Sequence, residues 1–363
     1  MQKIDDRPHL SYPKRSDRII GHLHGEACIH QGGQTGVACP GEISLDVLGI
    51  DVGKRDLHAA LLQGDRPASK SVPNSQAGIV QLQTWLKNRK ADHIHVCLEA
   101  TGGWSEQVAI SLSEAGHVVS IVNPARIKAF AQSEMVRTKT DGVDAALIAR
   151  FCRLHKPKVW TPPAPEVRML QGLVRRQHSL IEMRVEEENR RDAPMVAPAV
   201  VASIDATIEH LAREMERVER EIEKLFDDYP TLRQQRELLI SIPGIAKITA
   251  ARILGEMPNI SEFRDVKAVA AYAGLSPRHY QSGSIEKRSQ LAKTGNAHLR
   301  RALYFPAISA MHHNPPIRAF AERLRARGKS KMTIVAAAMR KLLTLAYGVL
   351  KSGRAFDPAY GNA

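Results

Sequence analysis

The chain contains the heptapeptide VLGIDVG at residues 47–53, and a second apolar run, LHAALL, follows at residues 57–62. Apolar runs of this length between glycines and charged residues are typical of buried strands in a mixed sheet. Asp51 lies inside the first run, and a buried carboxylate is unfavourable unless it is paired or binds a cation. The stretch therefore predicts a central strand whose acid either begins a turn or belongs to a site.

An α/β pattern surrounds this strand and extends from Asp46 to residue 160. Strands are expected at residues 47–52, 57–62, 70–72, 93–98 and 117–122. Helices are expected to begin after Asn74 or Ser75, at Trp104 and at Pro124, because polar caps, a Thr-Gly-Gly turn or an Asn-Pro pair precede them. Early hairpin strands followed by strands that alternate with helices predict a mixed sheet covered by helices.

Three further acids lie where they could join Asp51. Glu99 ends the fourth predicted strand. Asp141 and Asp144 open a helix that Thr140 or Asp141 would cap, and their spacing of three places both side chains on nearby parts of one helical face. Two acids in a first turn are also common as compensation of the helix dipole, so that alternative remains open.

Packing of these elements would gather four carboxylates, those of Asp51, Glu99, Asp141 and Asp144, into one patch. Such a patch cannot remain ionised without cations, and oxygen ligands select Mg²⁺ or Mn²⁺ over zinc. Two such ions about 4 Å apart can clamp the attacking and leaving oxygens of a phosphodiester. The constellation predicts a catalytic Mg²⁺ site for phosphoryl transfer.

Length and composition predict a globular protein with more than one domain, since the chain has 363 residues of which 43% are hydrophobic. No continuous apolar run reaches the roughly 18 residues of a membrane span, and the N-terminus lacks the apolar core of a signal peptide. The four cysteines show no paired spacing, which suits a reducing compartment. We therefore expect a cytoplasmic protein with no membrane contact.

Positive charge is concentrated in the last third of the chain. The net charge is +14, and the segment from Tyr229 onward contains 22 Lys and Arg against 7 Asp and Glu. The preceding residues are close to neutral. This asymmetry predicts binding of a polyanion, most simply a phosphate backbone; a solvated basic face without a partner is the alternative.

Residues 1–45 predict a disordered N-terminal extension, because they are rich in glycine and histidine and show no periodicity. Zinc binding is the alternative, although the spacing of the candidate ligands matches no paired-ligand pattern. Those candidates are His22, His24, Cys28, His30 and Cys39.

Residues 161–230 predict a helical connector after a proline-rich boundary. Its apolar positions alternate steps of four and three over three heptads, which indicates a coiled-coil seam for dimerisation or for an antiparallel hairpin. A plain core helix fits the same pattern. The seam consists of Ile204, Ile208, Leu211, Met215, Val218, Ile222 and Leu225.

Residues 231–353 predict a mainly α-helical domain, followed by a tail at 354–363. It opens with an apolar helix end, the turn formed by Pro243 and Gly244, and a second helix. This arrangement resembles a helix-hairpin-helix element, whose turn could offer backbone N–H groups to a phosphate. An ordinary helical hairpin is the competing interpretation.

Ser282 follows in a predicted glycine-flanked loop, with Ser284 as a neighbouring candidate. Basic side chains around this loop could hold a phosphate, although a serine in such a loop is more often a turn or cap residue. The candidates for phosphate contacts are Arg278, Lys287, Arg288, Lys293, Arg300 and Arg301.

Five ordered blocks together resemble the DEDD-type transposases of the IS110 insertion-sequence family, which includes pilin-gene-inverting recombinases. The resemblance runs from about Asp46 to Gly353, and the first 45 residues are its one departure. The blocks are GIDV at 49–52, LEATG at 98–102, KTDGVDA at 139–145, IPGI at 242–245, and AGL at 273–275 continuing to QSG at 281–283.

The resemblance implies an RNase H-like first domain of the RuvC type, in which Asp51, Glu99, Asp141 and Asp144 bind Mg²⁺ (or Mn²⁺). It implies by position that Ser282 is the nucleophile. It further implies donor and target DNA as substrates and a guide RNA transcribed from the element. A serine so distant in sequence from the acids suggests a site shared between domains or subunits, and hence a homo-oligomer, a dimer or tetramer.

The expected function is therefore DNA transposition through a serine–DNA intermediate. Two other classes remain open. A RuvC-like junction nuclease would use metal and water alone, with Ser282 as a structural residue. A non-catalytic nucleic-acid-binding protein would have a degenerate acid patch, which the presence of all four acids disfavours.

Overall fold

The structure is a computed structural model that describes residues 46–64, 66–135, 140–194, 197–257, 259–282 and 285–361. For residues 66, 261, 279–282, 285–289, 360 and 361 it describes the backbone alone. The predicted extension at 1–45, with its zinc-ligand candidates, lies outside the described residues, as does Ser284.

A five-stranded sheet forms the N-terminal part, in the order β3-β2-β1-β4-β5. The first three strands are antiparallel neighbours, whereas β4 and β5 run parallel to β1. The third strand is longer than predicted, because it pairs with the whole of β2. The strands are β1 (Val47–Val52), β2 (Asp56–Gln63), β3 (Arg66–Pro73), β4 (His95–Glu99) and β5 (Val118–Val122).

Helices cover both faces of this sheet, as the α/β pattern predicted. Leu48, Ile50 and Val52 pack towards α1 (Gln76–Asn88) and α2 (Gly103–Glu114). The opposite face packs against two other helices through Val47, Leu62 and Cys97. These helices are α3 (Pro124–Ser133) and α4 (Asp141–His155). Alternation along β1 therefore turns Gly49 and Asp51 towards α4.

Gly49 permits the close approach of α4 to β1. A Cβ at this position would lie 2.2 Å from both the carbonyl oxygen of Ala145 and the backbone nitrogen of Ala149. The helix axis therefore runs directly over the central strand and brings the first turn of α4 to the end of β1.

We predict that Gly49→Ala destabilises the protein by about 3 kcal/mol, because the added methyl group overlaps helix backbone that cannot rotate away. Urea unfolding of the purified variant measures the change. Gly142→Ala is the matched control on α4, since a Cβ added there would meet no atom within 4 Å; it should stabilise by up to about 1 kcal/mol. Equal stability of the two variants would contradict the close-packing argument.

Two long helices, α5 (Pro165–Arg191) and α6 (Pro198–Asp228), form the connector. They are joined by a short segment and pack along each other as an antiparallel pair. Five residues of the predicted seam are buried, and Ile208 and Met215 are half-buried. The two helices thus form the antiparallel helical hairpin within one chain. Supercoiling of the helices and a role in dimerisation remain predictions. The buried residues are Ile204, Leu211, Val218, Ile222 and Leu225.

The C-terminal part is mainly helical, as expected, and its helices share one core. The predicted Pro-Gly turn lies between its first two helices, where Gly244 has φ 104° and faces Ala310. The helices are α7 (Pro230–Ile240), α8 (Lys247–Glu256), α9 (Val266–Tyr272), α10 (Ala297–Ala302), α11 (Tyr304–His313), α12 (Pro315–Ala326) and α13 (Lys331–Ser352), with short 3₁₀ turns at Ile260–Glu262 and Pro358–Gly361.

The prediction of a loop around Ser282 is wrong, because a β-hairpin of β6 (Pro277–Ser282) and β7 (Ile285–Leu291) occupies this region. Its sequence is mostly polar and lacks the apolar alternation by which a half-buried strand is recognised. Backbone pairing, with an irregularity between Arg278 and Tyr280, defines these strands instead.

Helix α13 has 22 residues, and an 18-residue stretch of it has a mean hydropathy of 1.4, so the helix is long and apolar enough to span a membrane. It does not stand out as a continuous apolar run because Arg340 and Lys341 interrupt the helix. Half of this apolar stretch is buried inside the protein, and Ala338, Leu342 and Ala346 are fully buried. These observations describe a core helix of the C-terminal part.

Candidate active site at the carboxyl edge of the sheet

Asp51 and Glu99 lie at the same edge of the sheet. Asp51 is the penultimate residue of β1, and Glu99 is the last residue of β4. These strands are parallel, with Ile50 paired to Leu98. Asp51 and Glu99 each follow this pair by one residue, so they lie side by side on adjacent strands. Parallel strands present their carboxyl ends together at this edge of the sheet.

Asp141 and Asp144 extend this edge from the first turn of α4. The hydroxyl of Thr140 caps the helix by accepting a hydrogen bond from the backbone nitrogen of Val143 at 3.3 Å. The close packing of α4 over Gly49 holds this turn near the end of β1. Local capping and tertiary packing thus both fix the two helical acids.

The pKa of Asp51 shows that three of these acids are electrostatically coupled. Burial raises the pKa of Asp51 above its ordinary value, and repulsion from Asp144 and then Asp141 raises it further. Attraction to His58 and a backbone hydrogen bond lower it in part. Two neighbouring carboxylates therefore disfavour ionisation of Asp51, and a bound cation would reverse that effect.

His58 is a member of this cluster that the sequence analysis missed. It stands opposite Asp51 in the antiparallel β1–β2 pair, and its Nε2 lies 3.3 Å from Oδ2 of Asp141. The signal was available in the sequence, since a tight hairpin fixes which residue of β2 faces Asp51.

Asp141 and Asp144 lie close enough to Asp51 to raise its pKa, and the strand register places Glu99 at the same edge, but the four carboxylates are not arranged around a common metal position. Throughout the part of the chain that the structure describes, no group of three or more His, Cys, Asp or Glu side chains could hold a metal ion. Asp141 has 67% of its side chain exposed. The donor set, carboxylate oxygens with one imidazole nearby, suits Mg²⁺ or Mn²⁺, but coordination requires side-chain rotation.

Two loops form the rim of this edge. Asn74 ties them together, because its Nδ2 donates to the carbonyl oxygen of Gly53 at 2.9 Å and to that of Trp104 at 3.1 Å. Lys54 places its Nζ 5.6 Å from the centre of the Trp104 ring, which is half-exposed. The rim thus presents a cation and an aromatic ring beside the acids, neither of which the sequence analysis singled out.

Ser282 ends β6 and pairs with Ile285 across the hairpin turn. Its side chain, the neighbouring Ser284 and the side chains of Lys287 and Arg288 lie outside what the structure describes. Beyond the hairpin, the carbonyl oxygen of Thr294 accepts a hydrogen bond at 3.1 Å from Nδ2 of Asn123.

Asn123 immediately follows β5, which is parallel to β4. The segment after the hairpin therefore contacts the same carboxyl edge that carries Asp51 and Glu99. This contact attaches the serine-bearing region of the chain to the acid-bearing sheet.

The remaining basic candidates differ in how free they are. Arg278 and Lys293 are exposed. Arg300 donates from Nη1 to the carbonyl oxygen of Ala273 at 3.0 Å, and Arg301 lies 3.2 Å from a carboxylate oxygen of Glu182. Two of the predicted phosphate contacts thus already have partners within the chain.

Comparison with known proteins shows the class to which the chain belongs, that of the transposases and recombinases. A transposase model of the DEDD type matches residues 48–196. A second model, described as the transposase IS116/IS110/IS902 family, matches residues 236–322.

The relatives cover most of the chain. A pilin gene-inverting protein of Moraxella lacunata is 35% identical over 320 residues, which is 87% of this chain and 98% of the relative. The transposase for insertion sequence element IS1328 of Yersinia enterocolitica is 24% identical, covering 72% of this chain and 82% of that protein. The chain belongs to the IS110 family of transposases and recombinases.

Proposed function

We propose that this protein moves its own DNA element by cutting and rejoining strands through a covalent serine–DNA intermediate. The single observation that carries the proposal is the acid cluster, because burial and then repulsion from Asp144 and Asp141 raise the pKa of Asp51. A folded protein gains nothing from such repulsion unless a cation or substrate compensates it.

The proposed organisation follows the sequence divisions, with an RNase H-like domain at 46–160, a connector at 161–230 and a serine-bearing domain at 231–353. The strand order β3-β2-β1-β4-β5 supports the first of these, since its two parallel strands extend an antiparallel trio. The cytoplasm is the expected compartment.

Asp51, Glu99, Asp141 and Asp144 would hold the divalent cation. When bound, the cation neutralises the scissile phosphate and favours a deprotonated hydroxyl. Oδ2 of Asp141 lies 3.3 Å from Nε2 of His58, and a rotation of Asp141 towards the ion that Asp51 holds would break this contact. His58 would then be free to contact a phosphate or the departing strand.

Ser282 would attack the scissile phosphorus with its Oγ, forming a phosphoserine ester as the bond to the leaving strand oxygen breaks. The hydroxyl proton passes to a base, and the leaving oxygen takes up a proton. Attack by the free strand end reverses these steps and rejoins DNA without loss of bond energy. The contact between Asn123 and Thr294 supports a composite site, because it attaches the serine region to the acid edge.

Donor and target DNA are the proposed substrates, paired with a guide RNA encoded by the element and bound by a homo-oligomer. The basic C-terminal third supports nucleic-acid binding, and the similarity to the IS110 family supports the proposal of a guide RNA. The α5–α6 pair offers a long helical surface for assembly.

The decisive experiment incubates the full chain with DNA of the element ends, a target duplex, RNA transcribed from the element and Mg²⁺. Rejoined strands and a protein–DNA adduct are expected. Free ends without any adduct would instead establish the metal-dependent junction nuclease, and no cleavage under any cation would leave only nucleic-acid binding.

We predict that binding of the full chain to a random-sequence duplex weakens steeply with salt. Release of counterions from about six phosphates lowers affinity by about 10³-fold between 50 and 200 mM salt. Fluorescence anisotropy at several salt concentrations measures the slope. An affinity that does not change over this range would show that the positive charge after Tyr229 is only a solvated face.

A further inference from the structure

A cavity of about 540 Å³ opens in the C-terminal part, away from the acid cluster. Residues of α5, α8, α10, α11 and α13 surround it, and its size is that of a site for a small ligand or a single nucleotide. Four arginines line it, and they are Arg175, Arg252, Arg300 and Arg301.

Glu256 is the one carboxylate among the residues that line this arginine cavity. It is 2% exposed, and its oxygens accept from Arg175 at 2.7 and 2.9 Å and from Asn296 at 2.9 Å. Burial opposes its ionisation, but these donors outweigh that effect and lower the pKa of Glu256. Glu256 therefore neutralises the charge of Arg175 and does not pair with the other three arginines.

Arg252 and Arg300 have only neutral partners among the described residues. Nη2 of Arg252 donates to Oε1 of Gln177 at 3.2 Å, and its buried Nε has no partner. Arg300 donates to a backbone carbonyl. Within the part of the chain that the structure describes, the cavity therefore contains two cations without a counter-charge, and one of them has an unused donor.

The pKa values in the cavity fit this excess of positive charge. Burial lowers the pKa of Arg252. Burial and then repulsion from Arg301 lower the pKa of Arg300. Burial also lowers the pKa of His298, against a smaller opposing effect of Glu256. A bound anion would favour the charged form of all three groups.

An exposed aromatic ring stands at the cavity. Phe305 is 76% exposed, although it is a large apolar side chain. The ring of Tyr304 lies 5.2 Å away and nearly perpendicular to it. Aromatic rings beside cationic side chains are the usual platform for unstacked bases, because every base has a π-face.

We propose that the arginine cavity binds one unstacked nucleotide of a single-stranded nucleic acid, with its phosphate at Arg252 and Arg300 and its base against Phe305. The inference rests on the proposed function, since strand exchange and a guide RNA both supply single-stranded segments. Such a site holds a strand away from the duplex while the acid cluster acts elsewhere.

The test uses the full chain in EDTA, so that binding is measured apart from cleavage. The probe is a short single-stranded oligonucleotide with one 2-aminopurine, prepared as DNA and as RNA. Stacking on Phe305 is expected to change the 2-aminopurine fluorescence. Phe305→Ala should abolish that change and weaken binding about tenfold, while Met332→Ala, which removes a 62% exposed side chain on α13, should do neither.

A second pair of variants separates the cavity from overall charge. Arg252→Gln and Arg325→Gln each remove one positive charge, but Arg325 is exposed on α12. Arg252→Gln is expected to weaken binding about tenfold more. Tighter binding of the RNA probe would assign the site to the guide RNA, and tighter binding of the DNA probe to a displaced strand.

Equal losses for the two arginine variants, or a 2-aminopurine fluorescence change in Phe305→Ala as large as in the wild-type protein, would overturn the cavity assignment. A change in oligomeric mass caused by Phe305→Ala without any change in oligonucleotide binding would also overturn it and make this face a protein interface. Failure of the proposed function is seen separately, as absence of the Ser282 adduct in the wild-type protein with Mg²⁺.

Discussion

Ser282→Ala is expected to eliminate DNA cleavage while DNA binding persists. Recombination must hold the broken strand, and a side-chain nucleophile does so by forming an ester. Hydrolysis by a metal-activated water needs no serine and releases free ends. Deleting one hydroxyl beside a glycine should change the free energy of unfolding by less than about 0.5 kcal/mol.

The measurement is a nicked suicide substrate that traps protein on DNA, followed by peptide mapping of the adduct. The wild-type protein should yield an adduct at Ser282, and the alanine variant none. Ser276→Ala, at the base of the same hairpin, is the control and should cleave normally. Cleavage by Ser282→Ala, or an adduct mapped to Ser284 or Tyr280, would show that the nucleophile is another group.

Asp51→Asn and Asp144→Asn are expected to abolish strand transfer and to weaken Mg²⁺ binding. Each replaces an anionic oxygen ligand by a neutral amide of the same shape, so the fold should persist. Strand transfer is measured on element-end DNA, and Mg²⁺ binding by calorimetry. Asp92→Asn alters an exposed acid before β4 and is the matched control. Normal recombination by either cluster variant would exclude the metal site.

The same substitutions are expected to raise stability in the absence of metal. The pKa of Asp51 is raised in the folded protein, so its stabilising contribution is present below the unfolded pKa and is lost as pH rises through the folded pKa. At pH 7 in EDTA, Asp51→Asn should therefore melt at a higher temperature than the wild-type protein. The advantage should disappear below about pH 3, where the carboxyl group of Asp51 is protonated in both the folded and the unfolded state.

The protein–DNA adduct also tests whether the acids and Ser282 act together. If acids and serine form one composite site, Asp51→Asn should also lose the phosphoserine adduct, because attack by Ser282 depends on the cation that the acids hold. An adduct at wild-type level in Asp51→Asn would separate the two groups and restrict the acids to a later step.

Strands and helices of the N-terminal part could be predicted because their determinants are local. Buried strands such as Val47–Val52 are continuous apolar runs ended by glycine, and Ser75, Asn123 and Thr140 cap helices within their own segments. The polar hairpin around Ser282 could not be predicted in this way, since its strands carry no apolar alternation.

The sequence by itself determined the α/β and helical parts, the four acids and the basic C-terminal third, because composition and short-range periodicity encode them. Only the tertiary structure decided that His58 contacts Asp141, that Thr294 attaches to Asn123 and that four arginines share one cavity. These features join residues far apart in the chain. Their distances are set by how helices pack on the sheet and on each other, and no local pattern records that packing.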